Sequence, residues 1–188
     1  MASTSDIRNG LCIKFNSDIY QVIEFLHVKP GKGAAFVRTK IKSVTTGKVL
    51  DNTFPSGAKI EEVRVETRQY QYLYNDDSGF HFMNTENYEQ TFLPGDLIEN
   101  NDLLKEGEMV MIIFHAEEER PLAVEMPASI ELEITYTEPG VKGDTATNSL
   151  KPATVETGAE VRVPLFCNEG DVVKINTKDR SYMERVKK

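Results

Sequence analysis

The chain has no tryptophan, three histidines, two cysteines and no apolar run long enough to cross a membrane as a helix. Each shortage excludes something. Cys12 and Cys167 stand far apart in the strand-like contexts Leu-Cys-Ile-Lys-Phe and Leu-Phe-Cys-Asn, with no CxxC pair and no histidine at ligand spacing. They read as small buried hydrophobes with free thiols, not as a zinc or redox centre. His27, His81 and His115 are scattered without a spaced partner, which argues against a histidine-based catalytic or metal site. A P-loop and a nucleophile elbow are missing too. The start of the chain, Met1-Ala2-Ser3-Thr4-Ser5-Asp6, lacks the basic and apolar segments of a signal peptide, so a cytoplasmic protein is expected. These absences predict a non-enzyme that requires no metal and no cofactor.

A net charge of -8 argues at first against a nucleic-acid partner, but the charge is unevenly spread. Residues 1–64 hold 10 Lys/Arg against 6 Asp/Glu, residues 65–127 hold 3 against 14, and residues 128–188 hold 9 against 10. This sorting divides the chain into three units, 1–64, 65–127 and 128–188. The outer two can approach phosphate, whereas the acidic middle one is repelled from it and suits a basic protein partner.

Short alternating segments bounded by turn residues make every unit β-rich. Strands are expected over residues 11–15, 18–28, 34–44 and 48–54, then over 63–74 and 80–83. An apolar strand at 109–114 reads as buried on both faces, and strands at 130–136, 160–167, 171–177 and 182–186 complete the chain. Single helical turns are expected near residues 85–90 and 101–104, and a long loop over 138–152. Tyr70, Tyr72 and Tyr74 alternate as a base-stacking platform would, but in so acidic a unit their spacing is better explained by sheet packing. Glu117, Glu118 and Glu119 read as a solvated turn, because consecutive carboxylates do not converge on one ion.

The most informative stretch is Lys29-Pro30-Gly31-Lys32-Gly33-Ala34-Ala35-Phe36, which begins like a GxGxxG fingerprint but ends in Phe36 and enters a strand. Pro30 fixes its own φ, and Gly31 and Gly33 admit positive φ, so the loop should turn sharply and lift Lys32 to the tip of a hairpin. An ammonium with no bulky neighbour can enter a narrow crevice and offer three donors, or serve as the substrate of a modifying enzyme. A solvated turn would have the same composition.

This loop, the segment YLYNDDSGFHFMNTENYEQ and the long block LEITYTEPGVKGDTATNSLKPATVETGAEVRVPLFCNEGDVVKINT together resemble the bacterial elongation factor P family over nearly the whole chain. The resemblance implies an all-β fold, with an SH3-like (KOW-like) barrel followed by two OB-fold barrels in an L-shaped arrangement. It implies a monomeric factor that binds the ribosome beside the P-site peptidyl-tRNA and relieves stalling at consecutive prolines. Lys32 would lie near the CCA end of that tRNA and be extended by a lysine-modifying enzyme. Gly143, Asp144 and Thr145 match a loop that approaches exit-site messenger RNA, and Tyr182 and Arg185 match a segment that contacts tRNA. Lys29, Arg38, Lys40 and Lys42 ring the loop in a basic unit and are candidate contacts to tRNA or ribosomal RNA phosphates. One departure is Asn148-Ser149-Leu150, where the family carries glycine. A passive RNA-binding module of tandem barrels, or a paralogous factor with other stalling preferences, would share most of these features.

Overall fold

The computed structural model describes residues 1–140 and 149–187, and among them there is no α-helix. β1 (Ala2–Ser3), β2 (Cys12–Phe15), β3 (Asp18–Val28), β4 (Phe36–Ser43), β5 (Val49–Pro55) and β6 (Lys59–Glu62) form one sheet in the order β1-β6-β2-β3-β4-β5. β7 (Val65–Asp76), β8 (Gly79–Asn84), β9 (Gln90–Leu93), β10 (Met109–His115) and β11 (Arg120–Glu125) form a second, ordered β11-β10-β7-β8-β9. β12 (Ser129–Thr137), β13 (Leu150–Val155), β14 (Glu160–Pro164), β15 (Val172–Asn176) and β16 (Tyr182–Val186) form a third, ordered β14-β13-β12-β15-β16. The architecture is therefore all-β, as the alternating segments require. By contacts the chain divides into two compact units, residues 1–68 with 112–123 and residues 69–111 with 124–188.

In the first unit, Ile13, Tyr20, Val22, Val37, Ile41 and Ile60 pack into a buried core, edged by Phe15 and Phe54. Asn16 and Ser17 are both left-handed, so Phe15 pairs directly with Asp18 across a two-residue turn whose twist suits the flanking strands. The pleat of β4 sorts its side chains cleanly: Val37, Thr39, Ile41 and Ser43 are buried, and Arg38, Lys40 and Lys42 face outward. The buried hydroxyls are satisfied. Thr39 Oγ1 donates to the Asn52 carbonyl at 2.7 Å, and Ser43 Oγ donates to Asp18 Oδ2 at 2.7 Å.

Burial works against ionisation of Asp18, yet hydrogen bonds from Ser43, Thr45 and the Ile19 amide outweigh it and hold the carboxyl below its usual range. A depressed folded-state pKa means the unfolded chain takes up the proton first on acidification. The contribution of Asp18 is thus complete above about pH 4 and is lost as pH falls through the depressed value. Urea midpoints measured from pH 7 to pH 2 should fall less steeply for Asp18→Asn than for the parent chain. Parallel curves would count against this account.

In the second unit, β8 carries Phe82, fully buried, 5.6 Å from the ring of Tyr72. Tyr70 and Tyr72 are buried as sheet packing requires, but Tyr74 is not. Tyr72 pairs with Phe82 and Tyr74 with His81, so Leu73 is an extra residue, and a slip of one turns Tyr74 to the opposite face. There it stacks on His81 at 4.4 Å. Residues 109–111 of β10 also depart from expectation: Val110 is buried while Met109 and Met111 are exposed, so that strand has one solvated face and not two buried ones. Residues 85–89 form an irregular turn with Tyr88 left-handed, in place of a helical turn, and Gln90 already belongs to β9. The turn at 101–104 is present as a 3-10 turn, Asn101–Leu103.

The last sheet buries Ile130, Leu132, Ile134, Val155, Val161, Val163, Val173 and Ile175, and its outer strands β14 and β16 approach each other, curling it toward a barrel. The loop after β12 ends sooner than its composition suggests, because β13 already begins at Leu150. Pro152 fits in this strand because it lies beyond the last β12–β13 pair, Thr137 with Ala153. Cys12 and Cys167 are buried free thiols, and burial raises the pKa of each. Among the described residues no helix is long and apolar enough to cross a membrane, and no group of three or more His, Cys, Asp or Glu is placed to hold a metal. Glu118 and Glu119 are instead engaged by Arg120 and Arg68, each at 2.8 Å.

Candidate nucleic-acid interface

The site grows out of a mismatch in strand length. β2 accompanies β3 only from Asp18 to Gln21, whereas β4 pairs with β3 as far as Val28 opposite Phe36. Beyond Val22 one edge of β3 therefore has no strand neighbour among the described residues, and Glu24, Phe25, Leu26 and His27 are all exposed. β5 follows β4 out to Pro55 opposite Phe36, and the Ser56 amide donates to the Ala35 carbonyl at 3.0 Å. The hairpin is thus braced along one side while its tip, Lys29 to Ala34, is exposed.

Gly31 and Gly33 play different parts at that tip. Gly33 has φ +107, a conformation that L side chains rarely adopt, and a Cβ there would meet nothing closer than Pro30 Cγ at 4.0 Å. Gly31 does not use positive φ, and a Cβ there would meet nothing within 4 Å. Of the two glycines that admit positive φ, only Gly33 uses it: a single such residue suffices to turn the chain. The ring of Pro30 lies beside Gly33 and fixes its own φ at the start of the turn.

Below the tip, Arg38, Lys40 and Lys42 repeat every second residue on the outward face of β4, spaced by about 6.8 Å and so within one screening length of each other. They are not equivalent. β3 carries a bulge at Ile23, which turns Glu24 outward against Lys40, and the two form an ion pair of 3.4 Å. Asp51 of β5 is opposite Lys40 on the other side. Lys40 is therefore flanked by two carboxylates, whereas Lys29, Lys32, Arg38 and Lys42 form no ion pair among the described residues. Neither carboxylate is legible from the sequence: Glu24 comes opposite Lys40 only through the bulge in β3, and Asp51 only through the β4–β5 register. The arrangement can hold a polyanion by charge-assisted hydrogen bonds at its exposed cations.

Tyr182 and Arg185 lie in the second unit, on β16. Tyr182 is half-buried against the core, and burial together with the neighbouring Cys167 thiol raises its pKa. Arg185 is held 3.6 Å from Asp171 and lies over the exposed ring of Phe166 at 5.3 Å, which leaves part of its guanidinium free to contact a phosphate. Phe166 and Asp171 are orienting residues that the sequence did not reveal. Gly143, Asp144 and Thr145, with Asn148, lie outside the described residues. At the base of that loop, Lys151 is buried and donates to the Glu138 carbonyl at 2.7 Å.

Family models match three successive stretches: the elongation factor P (EF-P) KOW-like domain over residues 3–60, the elongation factor P (EF-P) OB domain over 65–124, and elongation factor P, C-terminal, over 130–185. Proteins named elongation factor P from Flavobacterium psychrophilum and Christiangramia forsetii are 67% and 65% identical over 187 residues, covering 100% of both chains in each case. A translation initiation factor eif-5a family protein from Naegleria fowleri shares the fold at a TM-score of 0.51 and 16% identity, over 66% of this chain and 96% of that one.

Proposed function

Because the chain belongs to the elongation factor P family, we propose that it binds the ribosome beside the P-site peptidyl-tRNA and speeds peptide bond formation where consecutive prolines stall it. The family is one of translation factors, not of enzymes. On this reading the chain lends position and charge to a reaction whose reacting groups belong to its partners. The proline ring restricts the approach of donor and acceptor, so ordering the tRNA end recovers rate by restoring productive geometry.

The observation that carries the proposal is Lys32, exposed and without an ion pair among the described residues at the tip of a braced hairpin, with Lys29 in the same tip and Arg38 and Lys42 further back on the outward face of β4. Residues 1–64, 65–127 and 128–188 act as three domains: the first presents Lys32 to the CCA end, the last presents Tyr182, Arg185 and the loop holding Gly143, Asp144 and Thr145 to tRNA and exit-site messenger RNA. A dedicated enzyme extends Lys32, the factor works as a monomer, and its place is the cytoplasm. In reconstituted translation of a triple-proline message, the chain should relieve the stall and Lys32→Ala should not. Equal relief by both would sink the proposal.

The two loop glycines supply a finer test. An L-residue forced into the left-handed region costs about 1–2 kcal/mol, so Gly33→Ala should distort the tip and lower stall relief several-fold, with the thermal midpoint lowered by no more than about 2–8 °C. Gly31→Ala should retain relief within about twofold, since its conformation and surroundings accept a methyl group. The reverse ranking would show that the loop's conformation is not what matters.

A further inference from the structure

Within the second unit, residues 100–105 make a set of contacts with the last sheet that nothing in the function just described accounts for. Asp102 takes a bidentate pair from Arg180, Nη1 to Oδ1 at 2.6 Å and Nη2 to Oδ2 at 2.8 Å, and the same Nη2 donates to the Glu160 carbonyl at 3.0 Å. Asn100, left-handed at φ +53, donates from its side-chain amide to the carbonyls of Thr177 and Lys178, each at 2.9 Å. Leu103 between them is fully buried in the core of the last sheet. Lys105 pairs with Glu156 at 2.9 Å, and Glu156 also accepts from the Glu133 amide.

These contacts converge on one short segment. Residues 177–180 are the turn that feeds β16, and Arg180, left-handed at φ +63, stands two residues before Tyr182. β16 needs such support. It ends the order of its sheet, and it pairs with β15 through an irregularity, Lys174 with Glu184 and then Ile175 with Tyr182, which leaves Met183 unpaired next to the first residue of the strand. The Asn176 amide closes this hairpin on the Ser181 carbonyl at 2.9 Å, and the fork of Arg180 on Asp102 holds the residue just before that closure from outside the hairpin.

We propose that Asn100 and Asp102 are positioning residues for β16, acting through the turn at 177–180 and Arg180 to set the placement of Tyr182 and Arg185 against RNA. This rests on the reading above that those two side chains meet RNA. The amide of Asp102→Asn keeps the size of the side chain while removing the charge and one acceptor. In the full-length chain it should speed amide hydrogen exchange over residues 181–186 about fivefold, with β12 and β13 unchanged, and raise the concentration for half-maximal binding to ribosomes carrying P-site tRNA by a similar factor. Lys105→Gln, which breaks an exposed pair of the same segment away from β16, should alter neither measurement. Unchanged exchange over 181–186 in Asp102→Asn would overturn the proposal, and so would faster exchange with unchanged binding. If the parent chain itself does not bind such ribosomes, the functional reading falls, and the exchange measurement alone decides whether Asp102 holds β16.

Discussion

Lys32→Ala should cut the acceleration of peptide bond formation on a triple-proline message about 10- to 100-fold, the largest functional loss expected from any single side chain here. The size follows from what is removed. A hydrogen bond to a charged group contributes roughly 1.5–3 kcal/mol, and made, as proposed, at the reacting end of a tRNA, its loss would fall almost wholly on the barrier. Lys32 stands between Gly31 and Gly33 with Lys29 three residues before it in the same tip, and none of the outward-facing residues of β4 can replace it, because each is anchored further back along the paired hairpin. Arg38→Ala should weaken ribosome binding without changing the maximal rate, and Lys40→Ala should do less still, since Glu24 and Asp51 already offset its charge. Peptide mass spectrometry of the protein purified from its own source, read at Lys32, shows whether the tip carries an added group. Protein so extended should exceed bare recombinant protein in the same assay. If Lys32→Ala relieves the stall as well as Lys40→Ala does, the tip is not the working part.

The largest loss of stability is expected at a residue far from that tip. Leu103→Ala should cost about 3 kcal/mol and lower the thermal midpoint by roughly 6–12 °C, because Leu103 is fully buried in the core of the last sheet and its truncation leaves a cavity that the closely packed strands cannot refill. Leu150, which begins β13 and is about half exposed, is the natural comparison, and Leu150→Ala should stay within about 0.5 kcal/mol. Calorimetry on the two variants separates burial from leucine content. A midpoint change under about 2 °C for Leu103→Ala would mean that residues 100–105 are held by their polar contacts and not by this side chain.

Much of the architecture was legible because the signals involved are local. A strand with one wet face must alternate, so β3, β4, β7, β12 and β16 could be located to within a few residues from the pattern of apolar positions alone. Turn chemistry is equally local, and Asn16-Ser17 marked the β2–β3 turn without reference to the rest of the chain. Two of the departures share a cause. Tyr74 was grouped with Tyr70 and Tyr72 because period two puts them on one face, but the bulge at Leu73 reverses that face, and a bulge depends on the partner strand. The bulge at Ile23 likewise puts Glu24 beside Lys40 and reduces a stripe of three cations to two unpaired ones.

By itself, the sequence determined the all-β class, the division of charge into a basic first part and an acidic middle, the glycine-flanked Lys32 and the elongation factor P family, since composition, alternation and motif are carried by neighbouring residues. The tertiary structure decided that β3 and β4 outrun β2 to hold Lys32 away from the core, that Lys40 pairs with Glu24, and that Leu103 and Asp102 fasten onto a sheet formed by residues far along the chain. Those facts depend on which strands meet and in what register, and register is fixed only when distant segments close on one another.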